Sequence, residues 1–203
     1  KGALAPHTAL VLTGGYMTLA EWHLTARDRI LATTPMAHRT GLGRVANAVC
    51  CGCTVVIMDK FDPVAAVDLI EKEKITIIGL VPTIARMLMP EIEKRAAAVK
   101  SARLIVATGE AFPIEIKKRL AVTAPNIGLY TFYAQTEAGF ITGLRPEEQA
   151  THPESCGRPI PAVEVRIVDQ DLNEVPRGDV GEITCRCGTP GVMSMPEYWR
   201  NPE

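Results

Sequence analysis

Tyr133-Ala134-Gln135-Thr136-Glu137 brings an aromatic ring, a hydroxyl and a carboxylate together within five positions. A tyrosine face stacks on a flat base, a threonine hydroxyl donates to a phosphate oxygen, and a glutamate holds a magnesium ion directly or through water. Together they outline a small nucleotide site. The preceding run, Ile127 to Tyr133, is rich in aromatic and β-branched residues and reads as a strand. The polar group then falls in the loop at the strand end, where open α/β sheets bind ligands. The same residues also fit a surface loop with a Thr-Glu pair, and only a wider match separates the two.

The elements that must position this loop follow from periodicity. His7 to Trp22 carries apolar residues at helical spacing, interrupted by Gly14-Gly15. Strand patterns cover Arg29 to Thr33, Thr54 to Met58, Thr76 to Val81, Arg103 to Ala107 and Gly128 to Tyr133. Helices are expected over Gly41 to Cys51, Pro63 to Glu73, Pro82 to Leu88 and Pro113 to Val122, with Pro63 in a first turn. Strands alternating with helices predict βαβ units, hence an α/β fold with a mainly parallel sheet flanked by helices. Residues 1–145 form that unit. From Arg145 to Pro161 the chain turns to Pro, Glu and Gly, so 146–161 reads as a linker. Strands Ala162 to Val168 and Val180 to Arg186 then place part of a small β subdomain in 162–203.

Composition excludes several classes. Of 203 residues, 47% are hydrophobic, ample for a core, and 22 basic against 23 acidic residues give a net charge of −1. With no dense Lys/Arg stripe and few aromatics, nucleic acid is not an expected partner. The longest apolar runs, Ala46 to Cys51 and Leu104 to Thr108, fall far short of the ~20 residues of a transmembrane segment. Among Cys50, Cys51, Cys53, Cys185 and Cys187, no Cys-x-x-Cys pair or nearby His completes a metal set. The expectation is buried free thiols in a reducing, cytoplasmic setting.

Four segments, in order, resemble signatures of the adenylate-forming enzymes, the superfamily of acyl-CoA synthetases, luciferases and peptide-synthetase adenylation domains. Thr34-Pro35-Met36-Ala37-His38 resembles the Pro-Leu-x-His motif, and Tyr133 to Glu137 resembles Tyr-Gly-x-Thr-Glu. Gly157-Arg158-Pro159 followed by Arg166-Ile167-Val168-Asp169 resembles the Gly-Arg-Pro segment and its acidic-ended strand. Gly178-Asp179-Val180-Gly181-Glu182-Ile183 resembles Gly-x-x-Gly-Glu-Ile. The match spans essentially the whole chain. It departs at Ala134, where the family usually has Gly and this chain adds a methyl.

The resemblance implies roles. Thr136 would contact the ATP α-phosphate, Glu137 would hold Mg²⁺, and Tyr133 with Ala134 would form one adenine wall. Gly109, Glu110 and Ala111 would form the other, glycine letting backbone approach the base. His38 would stand between the acid pocket and the thiol tunnel, gating it or orienting the carboxylate. The acid pocket would be lined by Thr40, Gly41, Gly43, Val81, Gly139 and Phe140, none of them charged. Such a lining suits a fatty or aryl acid better than an amino acid, whose ammonium needs a buried carboxylate. Arg44 would admit a second polar group if it faced inward, but is expected to face outward. His7 is read as structural, and His23 and His152 receive no role.

The implied activity is that of an ATP-dependent acyl-CoA ligase using ATP/AMP, Mg²⁺, a carboxylic acid and CoA as co-substrate, with an oligomer open. Lys1-Gly2-Ala3 resembles the residues that follow the family's phosphate loop, and Pro196 to Glu203 resembles a segment preceding its ribose-binding Asp and catalytic-Lys lid. The chain is therefore read as a central fragment of the large N-terminal domain, not expected to turn over alone. The rivals are an adenylation domain loading a carrier-protein thiol and a non-catalytic nucleotide-binding module.

Overall fold

The computed structural model describes residues 2–188 and 191–201; the readings that rest on Lys1, Pro202 and Glu203 lie outside them. Five parallel strands, β1 (Arg29–Ala32), β2 (Thr54–Ile57), β3 (Ile77–Leu80), β4 (Leu104–Ala107) and β5 (Gly128–Gln135), form most of a seven-stranded sheet. Two antiparallel strands, β6 (Gly139–Leu144) and β7 (Arg158–Pro159), complete the order β2-β1-β3-β4-β5-β6-β7. Strands β8 (Glu164–Val168) and β9 (Glu182–Arg186) make a separate antiparallel pair.

Alternation along the parallel strands gives two hydrophobic faces. Leu31, Ile78, Ile105 and Leu129 pack with residues of α4 (Pro63–Glu73), α5 (Pro82–Lys94) and α6 (Ile114–Thr123). Ile30, Ile77, Val106 and Tyr130 pack instead with Met17, Trp22 and Phe140. Over that second face run α1 (His7–Val11), a π-helical segment (Leu12–Met17), α2 (Thr18–Trp22) and, across them, α3 (Arg39–Cys51).

Four sequence expectations change here. The helix expected over His7 to Trp22 contains the π-helical segment; Gly14 and Gly15 lie so close to Ala46 and Cys50 of α3 that a β-carbon would overlap them. Helix α5 runs on through Pro90 to Lys94, its buried Leu88, Met89 and Ile92 outweighing the lost backbone hydrogen bond. The segment 146–161 is not plain linker, since Pro146–Glu148 is a 3₁₀ turn and β7 joins the main sheet. Strand β6 falls where no element was anticipated.

Asp28, buried just before β1, ties the strand starts together. It accepts from Arg103 Nε at 2.9 Å, Thr76 Oγ1 at 2.7 Å and Thr25 N at 2.8 Å. Burial raises its pKa, but these hydrogen bonds outweigh burial and bring it to about 2. A folded pKa below the unfolded value means that the stabilisation is whole above pH ~4 and is lost as pH falls toward 2. Asp28→Asn is therefore expected to cost about 2 kcal/mol at neutral pH and to flatten the fall in Tm between pH 4 and 2. Urea unfolding and a pH series of melts check both.

Candidate functional site

Two cavities meet at the carboxyl ends of β4 and β5. One, of about 430 Å³, is walled by α3, by the α1–α2 segment and by the β5–β6 hairpin. The other, of about 600 Å³, lies between the loop after β4, the start of α6 and residues 153–156. Thr108, Gly109, Phe132 and Ala134 line both, so a single wall separates them.

The structure brings most of the sequence-identified residues to this pair. His38, Thr40, Gly43, Val81, Gly139, Phe140 and Thr136 line the first cavity. Glu110, Ala111 and Tyr133 line the second, and Gly109 and Ala134 the shared wall. Gly109 has φ +107°, a conformation that a side chain would strain, and a β-carbon there would reach Val81. Ala134 belongs to β5, beside an irregularity in register after Tyr133, and has no positive φ, so its methyl is accommodated. His38 is the N-cap residue of α3, exposed at the cavity rim and making no capping bond.

Two of the named residues stand elsewhere. Gly41 is buried against the backbone of Pro35 and Met36, behind the first cavity, where a β-carbon would overlap them. Glu137 lines neither cavity; it lies in the turn between β5 and β6, where Tyr198 Oη donates to Oε1 at 2.6 Å and Met195 N donates to its carbonyl at 2.7 Å. The Tyr198 hydrogen bond, then its own backbone and the charge of Arg39, hold its carboxyl below the usual range. Glu137 is thus an anion at neutral pH. Glu110, on the rim of the second cavity, accepts from Thr83 Oγ1 at 3.1 Å and Arg86 Nη1 at 3.3 Å.

Several lining residues went unassigned in the sequence. Trp22, Phe132 and Phe140 form an aromatic wall, with Phe132 and Phe140 centroids 4.6 Å apart and Trp22 5.9 Å from Phe132. Lys117 borders the second cavity and donates to Pro153 O at 2.7 Å. Arg39 lines the first cavity. Arg44, expected to face outward, is buried and lines it too. The signal was available: Thr40, Gly43, Arg44 and Asn47 recur at helical spacing on one face of α3, all toward the cavity.

Residues 1–199 match the family described as AMP-binding enzyme. The chain belongs to that family. This AMP-binding enzyme chain is 33% identical to indoleacetate–CoA ligase of Aromatoleum aromaticum, across 99% of its own length and 38% of the relative's. The crystal structure of VinN superposes with a TM-score of 0.86 at 26% identity, covering 99% of this chain and 49% of that one. O-succinylbenzoate coenzyme A synthetase from Bacillus subtilis, in complex with ATP and magnesium ion, shares the fold with a TM-score of 0.87 at 22% identity, covering 98% and 40%. The chain spans about two fifths of the indoleacetate–CoA ligase it matches. Among the described residues no helix is long and apolar enough to cross a membrane, and no three His, Cys, Asp or Glu side chains cluster as a metal site. The cysteines are free thiols, as expected, but only Cys53 and Cys187 are buried; Cys50 and Cys156 are exposed.

Proposed function

We propose that this chain carries the acid pocket and adenine slot of an AMP-forming acid–CoA ligase. The observation that carries the reading is the pair of cavities sharing one wall, with Thr136 on the first and Tyr133 on the second. Such an arrangement holds a carboxylate and a nucleotide side by side, which supplies much of the rate in phosphoryl-centre chemistry. A carboxylate oxygen of the acid attacks the α-phosphorus, pyrophosphate leaves, and the CoA sulfur then attacks the acyl carbon, releasing AMP.

Within that reading, Tyr133 and Ala111 enclose adenine, Gly109 lets backbone approach it, and the Thr136 hydroxyl donates to an α-phosphate oxygen. His38, at the cavity rim, orients the reacting carboxylate or borders the thiol's path. The aromatic wall fits an acid with a fatty or aryl body. Magnesium fits the donors present: it takes most of its ligands from water and phosphate and needs only one or two carboxylates, and Glu137 is ionised beside Thr136. Bound there, the metal would neutralise phosphate charge.

The test is acid-dependent exchange of labelled pyrophosphate into ATP by a form of the protein extended to the length of its relatives, with fatty, aryl and amino acids in turn. Exchange followed by thioester formation on free CoA is expected. Exchange with transfer only to a carrier-protein thiol would replace CoA as acceptor, and no exchange with any acid would overturn adenylation.

A further inference from the structure

Among the described residues, the acid cavity contains a buried cation without an anion. Arg44 is 7% exposed; its Nε donates to Thr40 O at 3.3 Å and its guanidinium stacks 4.7 Å from the centre of the Trp22 ring, but among the described residues buried Nη1 has no partner. The indole Nε1 of Trp22, itself 2% exposed, is likewise unpartnered, as is the acceptor Asn47 Oδ1. All three side chains line the same cavity, whose other ionisable residues are Arg39 and His38, with no carboxylate among them. Burial lowers the Arg44 pKa only to about 10, leaving it charged at neutral pH.

An unpaired buried charge is costly, and stacking on an indole offsets only part of that cost. The stack accounts for where Arg44 lies, but it leaves Nη1 unanswered. Gly79 of β3 backs the side chain, where a β-carbon would stand at ordinary contact distance, 3.7 Å, from Arg44 Cδ and Nε. We infer that this end of the cavity receives a second carboxylate, so that the acid activated is a dicarboxylate whose far group accepts from Arg44 Nη1 and Trp22 Nε1. The spacer between its two carboxylates lies along Phe132 and Phe140. This rests on the adenylation reading for which carboxylate reacts, but not for the far site itself. A neutral acceptor such as a phenol would satisfy a hydrogen bond and leave the charge unanswered.

Calorimetric titration of the chain tests the subsite directly, comparing adipate with hexanoate and 4-carboxyphenylacetate with phenylacetate and 4-hydroxyphenylacetate. Each dicarboxylate is expected to bind at least about tenfold more tightly than its monocarboxylate counterparts, equivalent to 1.4 kcal/mol. Arg44→Met, which keeps an unbranched apolar stem, is expected to abolish the preference, and Arg44→Lys to retain part of it. Absent dicarboxylate binding, equal binding of the monocarboxylates, tighter binding of the phenol, or a preference that survives in Arg44→Met would overturn the proposal. Should Arg44→Met not fold, the wild-type comparison decides alone. Selective dicarboxylate binding without pyrophosphate exchange in the extended protein would overturn adenylation and leave the subsite standing; exchange driven equally by monocarboxylates would do the reverse.

Discussion

Glu137→Gln is expected to lower acid-dependent ATP–pyrophosphate exchange about a hundredfold in the extended protein, and Thr136→Ala at least about tenfold. The glutamine keeps the shape of the side chain and its bond to Tyr198 but loses the charge that Tyr198 and Arg39 maintain. A group whose charge acts on the transferring phosphoryl is worth roughly 3 kcal/mol, and a single hydroxyl contact about 1.4. Neither substitution empties a core position, because Thr136 is exposed and Glu137 lies in a turn. Their melting temperatures should stay close to that of the parent, which separates lost chemistry from lost fold. Unchanged kinetics in both variants would remove the pair from the active site.

Gly143→Ala is expected to destabilise the fold by about 4 kcal/mol. A β-carbon at Gly143 would overlap the hydroxyl and ring of Tyr130, which is fully buried. That hydroxyl donates to Glu21 Oε2 at 2.8 Å, and Glu21 also receives Arg145 Nε at 3.2 Å and Nη2 at 3.0 Å. Displacing the ring therefore combines overpacking, at ~1 to 3 kcal/mol, with an ionised carboxylate stripped of one buried donor, at ~1 to 3. No compensating shift is available on the far side, where Gly157, at φ +89°, already sits with its α-carbon against the Gly143 carbonyl. Denaturant unfolding measures the loss, and Tyr130→Phe isolates the hydroxyl's share. A cost below about 1 kcal/mol would mean that Tyr130 has another rotamer open to it.

The parallel part of the fold was legible because Ile30/Leu31, Ile77/Ile78 and Leu129/Tyr130 each send neighbouring side chains to opposite hydrophobic layers, and runs of that kind read as buried strands. Strand β6 was hidden by Gly139 and Gly143, which lower strand propensity but are needed there, Gly139 for its φ of +78° and Gly143 for close packing against Tyr130. Local residue types also concealed α5 beyond Leu88, since the penalty of Pro90 is visible in sequence and the burial that outweighs it is not. At the candidate site, the residues of the second cavity were legible through contiguous segments. Those of the first cavity were less so, because Trp22, Arg44 and Phe132 come from three distant segments and meet only in the fold. Arg44 was misjudged for a general reason: an arginine without a carboxylate partner normally faces solvent.

The β5–β6 hairpin gives this protein an uneven freedom to change. Phe132 and Ala134 of that ribbon border both cavities, whereas Thr40, Gly43, Arg44 and Asn47 on α3 border only the first. Substitutions at these helix positions would reshape the first cavity and leave the second untouched, while a change at Phe132 or Ala134 would be felt in both at once. Under the proposed function, a new acid specificity would arise on the helix, and the shared wall would stay tied to ATP.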